Sequence, residues 1–229
     1  MSAPQFDEFA RDYERTLSEG LSVSGEDSTY FAHGRVAWLK GRLEAHGARP
    51  KSGIDFGCGT GSSAPYLTEL LQLESLVGVD VSSESIDVAR KRHGSAQARF
   101  APLAEHVPTG DIELAFCNGV FHHVPLAERD AAVAHVFRSL KPGGFWAFFE
   151  NNPYNPGTRW IMSRLPFDRD AILLSARNAC RLLESGGFQV AEVNYLFVFP
   201  NLLRHLRPVE PHLIHLPLGA QYLVLARKP

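Results

Sequence analysis

"IDFGCGTGSS", residues 54–63, sets Gly57, Gly59 and Gly61 at alternate positions directly after a short apolar run. A chain gives up side chains in this way where something must lie against bare backbone. Residues 52–57, "SGIDFG", read as a short buried strand, and 62–72 read as a helix. The glycines therefore close a strand and open a helix. In open α/β sheets, ligands bind at such carboxyl ends of strands.

Outward from this turn the pattern repeats. "SLVGVD" (75–80) is a strand, and "SSESIDVARKRH" (82–93) is a helix capped by Ser82 or Ser83. "ARF" (98–100) and "IELAFCN" (112–118) are strands, 126–140 a helix, and "LKPGGFWAFFE" (140–150) a turn feeding a fifth strand. A helix at 175–185, a long strand at 187–200 and a last strand at 219–228 complete the chain. Upstream, 4–19 is helical with Phe6, Phe9, Tyr13 and Leu17 on one face. Residues 30–47 are helical with Phe31, Val36, Leu39 and Leu43 inward and Gly47 as the stop. Alternation of strand and helix from residue 52 predicts an α/β fold, a parallel sheet covered on both faces. The last two strands have no clear helix between them, so the final strand is expected antiparallel.

Two ligand classes compete for the glycine turn. A dinucleotide requires G-x-G-x-x-G, but position 62 is Ser62 and the third glycine falls at Gly61. An oxidoreductase is therefore disfavoured. The second strand ends in Asp80, about twenty residues after the turn, where a carboxylate can accept hydrogen bonds from ribose hydroxyls. Any adenosine-bearing ligand suits it.

In order and spacing, "IDFGCGTG", "VGVDVSSESIDVAR", "IELAFCNGVFHHV" and "LKPGGFWAFFE" resemble the successive motifs of class I S-adenosylmethionine-dependent methyltransferases of the small-molecule type, over about residues 50–150. The resemblance implies a Rossmann-like seven-stranded sheet with the last strand antiparallel. Residues 1–47 would form an N-terminal helical lid and 48–229 the S-adenosylmethionine-binding domain. It also implies roles. Asp55, Gly57, Gly59 and Gly61 would surround the methionine part, Asp80 and the adjoining Val81 the ribose, and the Asn118 carbonyl the amino group. Many relatives carry an aspartate after the third strand; here Leu103 stands in its place, so adenine would rest on Leu103 and Ala104, with Glu105 as a substitute acceptor. Arg35, on the lid, would pair with the methionine carboxylate.

A sulfonium methyl is already activated, so transfer needs alignment and exclusion of water. A hydroxyl or amine acceptor also benefits from a general base. His122 and His123, after the fourth strand, are the leading choices and Glu150 the third. Sequence neighbours supply no carboxylate to the histidine pair, so no metal site is expected. Tyr154 or Arg159 could reach the acceptor, and the proline-studded 200–218 segment reads as an apolar pocket wall or a dimer contact. His205, His212 and His215 within it match no ligand spacing.

The 229 residues carry a formal net charge of -2 and no Lys/Arg run, which argues against nucleic-acid partners. Three widely spaced cysteines suit a reducing cytoplasm. No signal peptide and no apolar run long enough to span a bilayer is read, so no stable membrane insertion is expected. The expectation is a cytoplasmic enzyme, able to form homo-oligomers, that methylates a small and fairly apolar molecule. O-methylation is placed ahead of N- or C-methylation. The alternatives are a non-methylation reaction on the same fold or a non-catalytic binding or regulatory module.

Overall fold

A computed structural model describes residues 20, 24–168 and 171–229. The helix expected at 4–19, with Tyr13, lies outside the described residues. The first described helix, α1 (Ser28–Ala45), starts where the Asp27 side chain accepts the Tyr30 N–H at 2.8 Å. It ends at Ala45, two residues before Gly47, whose φ of 69° no longer fits a helix.

Seven strands follow: β1 (Ser52–Phe56), β2 (Ser75–Asp80), β3 (Ala98–Pro102), β4 (Ile112–Asn118), β5 (Leu140–Asn151), β6 (Gln189–Leu196) and β7 (Gln221–Arg227). They form one sheet in the order β3-β2-β1-β4-β5-β7-β6. β7 runs antiparallel to both of its neighbours and the other pairings are parallel, as expected. Helices α2 (Ala64–Leu70), α3 (Ser83–His93), α4 (Arg129–Ser139), α5 (Pro156–Met162), α6 (Ala176–Ser185) and the short α7 (Glu210–Leu213) join them. Ser82 caps α3 by accepting the Ser85 N–H.

Alternating side chains on each strand feed two apolar layers. On one face, Leu76, Leu114, Phe116, Ala147 and Phe149 pack with Val36, Leu39 and Leu43 of α1, Leu67 of α2 and Ile86 of α3. On the other, Ile54, Phe56, Trp146, Phe148 and Val224 meet Val133 and Val136 of α4 and Leu183 of α6. α1 is further tied to β6 by Trp38 Nε1 donating to Asn194 Oδ1 at 2.9 Å and by the Arg42–Glu192 ion pair at 2.8 Å.

β6 is shorter than the 187–200 strand read from sequence. It stops at Leu196 because Phe197 takes φ of 62°, which turns the chain out of the sheet. The ends of β1, β2, β4 and β5, together with the start of β7, share one edge. The strand order reverses between β1 and β4 there, and this is where a crevice forms.

Candidate functional site

Two cavities meet at that edge. The smaller, about 400 Å³, is lined by Asp55, Gly57, Gly59, Asp80, Val81 and Leu103, among others. Gly57 has φ of 74°, and a Cβ there would stand 2.4 Å from Val120, so only glycine fits. The Gly59 N–H donates to Asp80 Oδ2 (2.8 Å) and the Ser82 N–H to Oδ1 (2.9 Å), which aims the carboxylate along the cavity rim. Asp55 is buried and its Oδ2 has no hydrogen-bond partner among the described residues. Burial first, then the charge of Asp80, push its carboxyl up to about 7, against a smaller opposing pull from Arg35.

The larger cavity, about 680 Å³, lies beside it under residues of the α1 N-terminus, α5 and the 197–200 turn. Tyr30, Phe31, Phe197 and Trp160 are among its aromatic walls. The Phe31 and Phe197 rings meet edge to face, with centroids 5.0 Å apart. Arg35 lines this larger chamber and donates to Gln221 Oε1 at 2.9 Å. Ser62, Asn118, Gly119 and His123 line both cavities, which therefore adjoin at a junction made of these residues.

Beside this junction the fold gathers four titratable groups. His122 Nδ1 lies 2.6 Å from Glu150 Oε2, whose other oxygen accepts the Phe121 N–H at 2.6 Å. Asp168, from the short 3-10 turn Pro166–Asp168, brings Oδ1 within 3.5 Å of His122 Nε2 and 3.3 Å of His123 Nε2. Burial disfavours a charged His122, but Glu150 and Asp168 outweigh it and raise its pKa to about 10. Glu150 is correspondingly lowered, burial notwithstanding. Burial moves His123 the other way, downward.

Several expectations need correction. Glu150 is 0% exposed and lines neither cavity, so it cannot reach an acceptor; it orients His122 instead. His122, 3% exposed, lines the larger chamber but not the smaller cavity, and its carboxylate neighbours favour its protonated form, which cannot take a proton. Gly61 is absent from the cavity walls. A Cβ there would stand 3.0 Å from Phe100 and 3.1 Å from Ala89, so this glycine lets α3 approach the sheet. Ala104 and Glu105 lie off the cavity, leaving Leu103 alone of that trio on its wall. Tyr154 is 66% exposed, and neither it nor Arg159 enters the chamber. Pro200 and Arg207 contribute to the chamber wall, but Leu202, 88% exposed, Leu203 and Leu206 point outward. The histidine pair does have carboxylate neighbours, Glu150 and Asp168. Asp168 follows His123 by a long interval and in no ligand motif, so nothing in the sequence signalled it.

Residues 54–148 match the family described as "Methyltransferase domain". A trans-aconitate 2-methyltransferase of Azoarcus sp. (strain BH72) is 30% identical over 124 residues, covering 54% of this chain and 48% of that protein. The phthiotriol/phenolphthiotriol dimycocerosates methyltransferase of Mycobacterium tuberculosis is 29% identical over 119 residues, 48% of this chain and 41% of that protein. The chain thus spans under half the length of these curated relatives. Among solved structures, an S-adenosylmethionine-dependent methyltransferase of Thermotoga maritima, a possible histamine N-methyltransferase, superposes with TM-score 0.66 at 18% identity, over 98% of both chains. At that identity the likeness bears on the fold.

Proposed function

We propose, from the premise that residues 54–148 are a class I S-adenosylmethionine-dependent methyltransferase domain, that this chain transfers the sulfonium methyl of S-adenosylmethionine to a small molecule held in the larger chamber. The observation that carries the reading is the junction at which Ser62, Asn118, Gly119 and His123 line both cavities. A donor in one cavity and an acceptor in the other would face each other across it, and such alignment supplies ~7–11 kcal/mol of a displacement barrier. Both volumes fall in the range of small-molecule sites, about 300–1,000 Å³.

In this reading Asp80 holds the ribose, Gly57 and Gly59 lie under the donor, and Leu103 packs on adenine. Asp55 faces the cationic methionine end, while Arg35, on the chamber side, meets its carboxylate. The N-terminal end of α1, which lines the larger chamber, serves as part of its cover. His123, the only one of the three expected bases that lines both cavities, takes the proton of a hydroxyl or amine acceptor. An oxygen acceptor is favoured, because a hydroxyl needs a base to become nucleophilic whereas a neutral amine attacks through its lone pair and can lose its proton afterwards. Relatives named for trans-aconitate and for a dimycocerosate support a small-molecule acceptor. Among the described residues no helix is long and apolar enough to cross a membrane.

The test begins with calorimetry of S-adenosylhomocysteine binding to the full chain. Asp80→Asn should weaken it about tenfold or more, through loss of a charge-assisted acceptor. Unaltered affinity removes the ribose assignment. Incubation with labelled S-adenosylmethionine and a metabolite extract should then yield labelled product. Cofactor binding with no methyl transfer would favour the binding-module or non-methylation readings.

A further inference from the structure

The trio His122, His123 and Asp168 brings two imidazoles and one carboxylate to a common point. One ligand atom from each lies within 4.8 Å of the others. Asp168 Oδ1 is 3.3 Å from one ring nitrogen and 3.5 Å from the other. Both are ion-pair contacts, and no N–H among the described residues makes a well-aligned hydrogen bond to this buried oxygen. For metal–ligand bonds of about 2.0–2.2 Å in tetrahedral arrangement, neighbouring ligand atoms stand ~3.4 Å apart. The two measured separations fall at that spacing. A further feature agrees. His122 carries Glu150 on its far nitrogen, at 2.6 Å, and Glu150 is itself fixed by the Phe121 N–H. A carboxylate on the distal nitrogen fixes which nitrogen faces a metal and raises its basicity.

We propose that His122 Nε2, His123 Nε2 and Asp168 Oδ1 bind one divalent transition-metal cation, with its open positions facing the larger chamber. All three residues line that chamber, and His123 also lines the smaller cavity. Two imidazoles and one carboxylate suit Zn²⁺, Fe²⁺, Co²⁺ or Mn²⁺ rather than Ca²⁺ or Mg²⁺, which prefer oxygen. Resting on the methyl-transfer reading, the site also names an acceptor class: a molecule presenting a hydroxyl or carboxylate oxygen to the metal. A bound hydroxyl loses its proton to solvent water. Its oxygen then attacks the methyl carbon, a C–O bond forms as the C–S bond breaks, and the sulfur leaves as a neutral thioether. The ion would thereby take over from His123 the task of acidifying the acceptor.

The experiment titrates the tag-free full chain, stripped with a chelator, with Zn²⁺ by calorimetry and with Co²⁺ by visible absorption. One ion per chain is expected, with the absorption of a low-coordinate Co²⁺ site. Asp168→Asn and, separately, the less buried His123→Gln should each weaken binding by about tenfold or more, and Asp80→Asn should leave it unchanged. Absence of saturable binding, or binding indifferent to both ligand substitutions, overturns the proposal. Binding of S-adenosylhomocysteine by the same samples reports on folding and separately on the methyl-transfer reading. Metal bound without it would leave the site standing and remove its acceptor. Cofactor bound without metal would leave His123 as the base and refute the metal site.

Discussion

Lowering the pH below about 7 should weaken S-adenosylmethionine binding, because Asp55 takes up a proton there. The carboxyl is buried, Asp80 adds a like charge, and Arg35 compensates in part, so the group titrates near 7 rather than at its ordinary 3.8. A donor that sets a cationic centre against Asp55 binds the ionised form. Affinity then falls tenfold per pH unit below the titration point, ~30-fold between the plateau and about pH 5.5. Calorimetry across about pH 5.5–8 measures this. Asp55→Asn should bind weakly at every pH and lose the slope. Equal affinities of the wild type at both ends, or a slope that persists in Asp55→Asn, would refute the reasoning. The ligand-free protein supplies an independent check of sign. Because the folded pKa is raised, the stabilising contribution of the bound proton is complete below 3.8 and is lost as pH rises through about 7. Over that span of about three pH units the loss is roughly 4 kcal/mol. Denaturant titration of Asp55→Asn should therefore show a shallower decline toward pH 8 than the wild type.

Two substitutions probe the scaffold. Gly61→Ala adds a Cβ at φ of 79° facing Phe100 and Ala89, and urea unfolding should register a loss of about 1–3 kcal/mol. Wild-type stability would mean that α3 shifts freely against the sheet. Glu150→Gln leaves His122 with one carboxylate neighbour instead of two and should cost about 3–5 kcal/mol, the range for breaking a buried pair. A midpoint unchanged in the same assay would mean that Glu150 does not hold a charged His122.

Legibility of the site followed distance along the chain. Gly57, Gly59, Asp80 and Leu103 sit at turns where strand, glycine and cap signals are local, and they line one cavity. Gly61 belongs to the same motif, yet its neighbours Phe100 and Ala89 come from other elements, so its packing role was invisible. Glu150 reads as the end of a strand whichever face it takes. Only the register of β5 between β4 and β7 buries it completely. Likewise the apolar 200–218 segment promised a pocket wall, whereas the turn at Phe197 sends most of its leucines outward.

Local patterns account for the alternation of strands and helices and for the position of the glycine turn, because periodicity, glycines and caps act within a few residues. The antiparallel last strand was legible for another reason: the stretch between Leu196 and Gln221 holds only the 3-10 helix Asn201–Val209 and the short α7, not a crossover helix long enough to return a parallel strand. The packed molecule sets which side chains share a space: Asp168 beside two histidines far earlier in the chain, Arg35 beside Gln221, and four residues lining both cavities. Such meetings depend on strand order and on the paths of long connections, which no local pattern of residues encodes.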